Sequence, residues 1–178
     1  MPLLAPTAFV RNAVRRFRRD GRGSAAVEFA FIAPVFFVLL FAIIETAIVF
    51  FASQVLEGAV QDTGRLIYTS QNVTQAQFKT DFCNRVAALF PCNGDLCLDV
   101  RTYAPGTAIV VSDPIDVSGA YVPDCQWQQP QQGWTSVVRA FYPWPLYVTG
   151  LGYNISNINR GQIDNKRLLA VTSAFIPQ

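Results

Sequence analysis

The chain has 178 residues, of which 51% are hydrophobic and 15% charged, and a mean hydropathy of +0.26, more apolar than an ordinary soluble domain of that length. Its formal charge of +2 conceals a split: Arg11, Arg15, Arg16, Arg18, Arg19 and Arg22 face only Asp20 near the N-terminus, whereas the chain from Ser24 onward holds eight basic and eleven acidic residues, a charge of about −3. That remainder offers no basic patch for nucleic acid, and a chain without histidine or paired C-x-x-C spacing offers no zinc knuckle.

Residues 1–23 read as a cytoplasmic basic leader in which proline, threonine and alanine give way to arginine. Arginines within a short distance of an apolar run keep their side of the membrane cytoplasmic, so the C-terminal part is expected to cross. An ordinary secretory signal has a short apolar core followed by a small-residue cleavage site. Here the apolar run is long and the plausible cut precedes it, so the span would survive processing.

From Phe29 to Ala52 Glu45 is the only charged residue, and about 24 helical residues at ~1.5 Å each reach ~36 Å, enough to cross a ~30 Å hydrocarbon core with some tilt. Beyond it, Val55, Leu56, Ala59, Val60, Leu66 and Ile67 recur at three- and four-residue steps with Gln54, Glu57, Gln61, Asp62 and Arg65 between them. The spacing predicts one long helix over 24–72, transmembrane to about residue 52 and amphipathic after it. Pro34 lies inside, where the missing N–H should kink or loosen the helix. Gly58 and Gly64 mark weak points or close approaches.

The remaining residues, 73–178, are expected to form one small α+β domain. The stretch TQAQFKTDFCNRVAALFP puts Phe78, Phe82, Val86 and Phe90 on one face, a short second helix stopped by Pro91. After it the period changes to two: CLDVRTYA, TAIVVSD, SVVRAFYPW and RLLAVTSAF read as strands, separated by turn-rich loops. The expected fold is a small antiparallel sheet of three to four strands packed on the amphipathic half of the long helix and on the short helix. The aromatics from Phe141 to Tyr147 are expected to serve core packing and loop closure around Pro143 and Pro145 rather than to bind sugars or another subunit. Cys83, Cys92, Cys97 and Cys125 all follow the span, on the oxidising side in this topology, so two disulfides are expected. Three connectivities are open; the preferred one joins Cys83 to Cys92, closing a short loop after the second helix, and Cys97 to Cys125.

Catalytic patterns are scarce: there is no G-x-S-x-G, P-loop or H-E-x-x-H. Asp95, Asp99, Asp113 and Asp116 offer carboxylates, but their spacing does not demand acid–base pairing and solvated loops are the expectation. The chain is read as a non-enzyme without a cofactor.

The stretches RRDGRGSAAVEFAFIAP and DFCNRVAALFPC, LCLDVRTYA, SVVRAFYPWPL and RLLAVTSAF resemble the TadE family, pilin-like minor components of the tight-adherence (Tad) pilus machinery of bacteria. The resemblance implies a leader cut by a prepilin peptidase, a membrane aspartic protease, after Gly23, so that Ser24 becomes the first residue and Glu28 the fifth. Related flp-type pilins follow that glutamate with tyrosine; here Phe29 keeps the ring and drops the hydroxyl. With a sheet domain far larger than those pilins carry, the resemblance implies a minor, pseudopilin-like role in the inner membrane, with a periplasmic C-terminal domain and other Tad pilus components and pilins as partners.

The residues themselves supply a reason for Glu28. A carboxylate at the edge of hydrocarbon is costly and favours a positive partner. Cleavage after Gly23 creates one, an α-amino group with a reference pKa of about 7.7–8.0. Glu28 of one subunit paired with the Ser24 ammonium of its neighbour would set axial register. Glu45 has no comparable assignment: a neutral acid, an interfacial residue and a cross-assembly partner all fit. Two other readings remain at this point, an uncleaved signal-anchored scaffold of an envelope secretion complex and a membrane-anchored hydrolase using Asp99 or Asp113.

Overall fold

A computed structural model describes residues 23–69, 72–92, 94–148, 153–158 and 165–177. The arginine-rich leader before Gly23 lies outside the described residues. The chain divides between Ile43 and Ile44 into two units.

Helix α1, Ser24–Thr69, runs 46 residues and continues through Pro34, a length of about 69 Å at ~1.5 Å per residue. Up to Ile43 its large side chains are exposed, among them Phe29, Phe31, Ile32 and Phe36, as expected of a helix that is apolar all round and long enough to span a membrane. From Ile44 onward the same helix has a buried side. Val49, Ala52, Leu56, Ala59, Val60 and Ile67 enter the main core, while Gln54, Glu57, Gln61, Asp62 and Arg65 are exposed. Burial therefore begins before Ala52, earlier than hydropathy alone placed the end of the span.

Helix α2, Gln75–Val86, opens on a capping box in which the Thr74 side chain accepts from Gln77 N–H and the Gln77 side chain accepts from Thr74 N–H. Phe78, Phe82 and Val86 are its buried face. The helix is shorter than the sequence led us to expect. It ends at Val86, whose carbonyl accepts from both Leu89 and Phe90 N–H, and this turn still delivers Phe90 into the core, where burial of a large side chain stabilises by roughly 1.5–3 kcal/mol.

Three strands follow: β1, Cys97–Tyr103; β2, Thr135–Pro145; and β3, Lys166–Phe175. They form an antiparallel sheet in the order β1-β2-β3, with Val100 opposite Val138 and Ala140 opposite Val171. Val100, Val138, Ala140, Tyr142 and Leu169 pack on the helices. The fold is α+β, as the change of period indicated.

TAIVVSD does not form a strand. The free edge of β1 is already occupied by residues 126–128, through Val100 N–H to the Gln126 carbonyl and Gln128 N–H to the Val100 carbonyl, both 2.8 Å. The β-prone segment is instead held as loop, with Tyr103 Oη donating to the Val110 carbonyl at 2.7 Å and Arg139 Nη1 donating to the Ser112 carbonyl at 2.7 Å.

The sheet face away from the helices is not bare. Cys97, Phe141, Ile158 and Leu168 make a second small core there, joined by Ile115 and Tyr121. Residues from 104–134, together with Ile158, thus cover this second sheet face.

Candidate functional site

Gly23 immediately precedes Ser24, the first residue of α1, and a Cβ built on Gly23 would meet nothing within 4 Å. Glu28 and Phe29 follow on exposed positions of the same helix. The four residues assigned to processing and register therefore lie at the start of a helix whose outward surface is hydrocarbon-like. The arginines that would complete this junction lie outside the described residues.

Glu45 is placed in the folded C-terminal unit. It is 7% exposed, and its carboxylate accepts from Tyr147 N–H at 2.5 Å and from Val148 N–H at 3.1 and 3.2 Å. Thr46 and Tyr153 share a hydroxyl–hydroxyl hydrogen bond. An acid that hydropathy put inside the span is thus a clamp on the segment after β2, its carboxyl oxygens accepting from two backbone donors.

The aromatic run divides. Tyr142 and Trp144 pack edge-on with Phe90, at centroid distances of 5.0 and 5.6 Å, and Phe141 lies in the second core. Tyr147 is different, being 82% exposed. The expected core packing holds for the run up to Trp144 and fails at Tyr147, whose backbone Glu45 holds while its ring points outward.

Asp99 corrects the expectation of a solvated carboxylate. It is fully buried, opposite Arg139 in the β1–β2 register. Arg139 Nε donates to it at 2.8 Å and Arg139 Nη2 stands 2.6 Å away. Arg101 Nε lies 3.1 Å from both of its oxygens, and Gln126 N–H donates at 3.0 Å. Every lone-pair direction has a donor, as a buried carboxylate requires. The arginine was the missed signal: Arg139 interrupts the apolar run SVVRAFY, and a cation there calls for an acid on the neighbouring strand.

The other carboxylates shape loops. Asp113 accepts from Ile115 N–H. Asp116 accepts from Ser118 N–H, Ser118 Oγ and Ala120 N–H, and these bonds, the Ser118 hydroxyl first, hold its pKa below the ordinary carboxylate value. Arg101 Nη2 donates to Asp124 at 2.6 Å and lowers its pKa likewise. Burial, with Asp95 adding a smaller repulsion, pushes the Tyr121 phenol up to about 12. Asp99, Asp113 and Asp116 each serve separate backbone or side-chain partners. Among the described residues no group of three or more His, Cys, Asp or Glu side chains could hold a metal ion.

Cys83 is bonded to Cys92 and Cys97 to Cys125. The first ties the end of α2 to the turn before β1; the second ties β1 to the loop that covers the second sheet face.

Residues 23–65 match the family model described as TadE-like protein, the family that the N-terminal sequence resembles. The matched stretch begins at Gly23 and takes in Ser24, Glu28, Pro34 and Glu45. No curated protein and no solved structure gave a match.

Proposed function

We propose that this chain acts as a minor pilin or pseudopilin in the assembly or structure of the Tad pilus. The match over residues 23–65 supports association with that machinery, and the carrying observation is that it starts at Gly23, directly before the first residue of α1. On this reading a prepilin peptidase removes the leader after Gly23, the helix supplies the packing surface, Glu28 sets register with a neighbour's Ser24 ammonium, and the cystine-braced sheet domain contacts other pilus components. The work is mechanical rather than catalytic, and needs no cofactor.

The test is the intact mass and N-terminal residue of the protein from its native membrane. Processed protein should begin at Ser24, Gly23→Ala should retain the leader, and Glu28→Ala should insert normally yet show reduced incorporation into pili. A wild-type chain that keeps Arg15 to Gly23 would refute the pilin reading in favour of a permanently anchored scaffold.

A further inference from the structure

The first turns of α1 in the C-terminal unit carry two different surfaces. Glu45, Val49 and Ala52 face the folded domain. Away from it stand Ile48, Phe50 and Phe51, the last 62% exposed. One turn further on, the outward residues are Gln54, Glu57 and Gln61. The outward face therefore changes from apolar to polar between Phe51 and Gln54, while the inward face is packed throughout.

The length of the helix indicates what covers that apolar collar. A ~30 Å hydrocarbon core takes about 20 helical residues, which, counted from Phe29, the residue after the acid at the hydrocarbon edge, are used up near Ile48. Residues 48–51 then rise a further ~5 Å, a depth that matches the headgroup layer of about 5–8 Å on that side. Tyr147 belongs near the same level, because its N–H is bonded to Glu45, less than one turn before Ile48. A tyrosine with an outward ring is suited to that layer, its body apolar and its hydroxyl hydrated. Glu45 is also acceptable there, since backbone donors replace the water it loses.

We infer that the C-terminal domain rests on the lipid headgroup layer at the end of the span, with Ile48, Phe50, Phe51 and Tyr147 as its membrane-contacting surface and Glu45 as the residue that positions Tyr147. The occupant is phospholipid rather than a second copy, because the collar continues a helix whose preceding apolar residues have the composition of a membrane span. This rests on α1 spanning a membrane and not on entry into a pilus.

The experiment uses the full chain in nanodiscs of phosphatidylethanolamine and phosphatidylglycerol, with one nitroxide label introduced through Ile48→Cys, Phe51→Cys or Tyr147→Cys. Glu57→Cys and Val117→Cys, both at exposed positions, are the aqueous references. Labels at 48, 51 and 147 should collide with oxygen and lose collisions with a water-soluble nickel chelate, whereas the references should do the reverse. Nickel access at 147 equal to that at 117 overturns the inference, and so does loss of both collision partners at 48 and 51, which would mean protein covers the collar. For Glu45→Ala the label at 147 should become nickel-accessible while those at 51 and 117 keep their values. An unchanged reading at 147 removes the positioning role from Glu45.

Discussion

Gly64 offers the sharpest test of how α1 meets the sheet. A Cβ built there would lie 2.7 Å from Cε1 of Phe175 and closer still to Cε2 and Cζ, whereas carbon atoms in contact sit about 3.5–4.0 Å apart. The ring, at the end of β3 opposite Ser136, would have to retreat by roughly 1 Å or more. Overpacking of this kind costs about 1–3 kcal/mol, and the helix propensity gained on replacing glycine by alanine returns about 1 kcal/mol. Gly64→Ala alone should therefore be destabilising by up to about 2 kcal/mol. In a Phe175→Ala background the obstacle is gone, and the same substitution should stabilise by up to about 1 kcal/mol. The coupling between the two positions is then about 1–3 kcal/mol. Urea midpoints of the four proteins in detergent, followed by near-ultraviolet circular dichroism, give this quantity directly. Additivity within about 0.5 kcal/mol would show that ring and glycine do not meet and that α1 and β3 are packed differently.

Asp99→Ala leaves Arg139 buried without its acid and should lower stability by about 3–5 kcal/mol, against about 1 kcal/mol or less for Asp113→Ala, which loses one exposed hydrogen bond; equal effects in denaturant titrations would contradict the buried network. Reduction of both cystines should loosen the sheet domain, with chain-entropy contributions of about 2.5 kcal/mol for the short Cys83–Cys92 loop and about 3.5 kcal/mol for Cys97–Cys125, and trypsin sensitivity unchanged by reductant would refute this. For Tyr121 burial raises the folded pKa from the ordinary 10.0 to about 12, so its contribution is complete below pH 10 and is lost as pH rises through about 12. Tyr121→Phe should shift the alkaline unfolding midpoint, and an identical midpoint in the variant would remove Tyr121 as its cause.

Much of this fold was legible because it rests on local periodicity. The apolar run to Ala52, the three- and four-residue spacing of Leu56, Ala59, Val60 and Ile67, the alternation in CLDVRTYA and the β-branched and aromatic content of SVVRAFYPW each reflect the geometry of one element. What escaped depends on which segment reaches a position first. TAIVVSD has strand composition, but residues 126–128 hold the β1 edge, and no local signal ranks those two competitors. Asp99 is expected from sequence as a solvated loop carboxylate because the spacing of the acids demands no partner; the register of β1 with β2 and the return of residues 104–134 over that face bury it. The candidate site divides on the same line. Gly23, Ser24, Glu28 and Phe29 are assigned from neighbours in sequence, whereas the bond from Glu45 to Tyr147 joins residues about a hundred positions apart and leaves no trace in either stretch.

That bond also separates the two acids of the apolar run. Sequence alone allowed Glu45 to pair across an assembly, since both it and Glu28 are carboxylates in a hydrocarbon-like helix. Glu45 already accepts from two backbone N–H groups of its own chain, and drawing it into an intersubunit pair would uncover those donors at a cost of about 1–3 kcal/mol each. An intersubunit role for Glu45 thus works against the fold of the C-terminal unit, to which Glu28 does not belong. The two substitutions should accordingly fail differently. Glu28→Ala should leave the domain's proteolytic stability intact and change only incorporation, whereas Glu45→Ala should expose the segment around Tyr147 to protease even in unassembled protein. Protection of that segment in Glu45→Ala, combined with loss of incorporation, would reverse the assignment and make Glu45 the assembly acid.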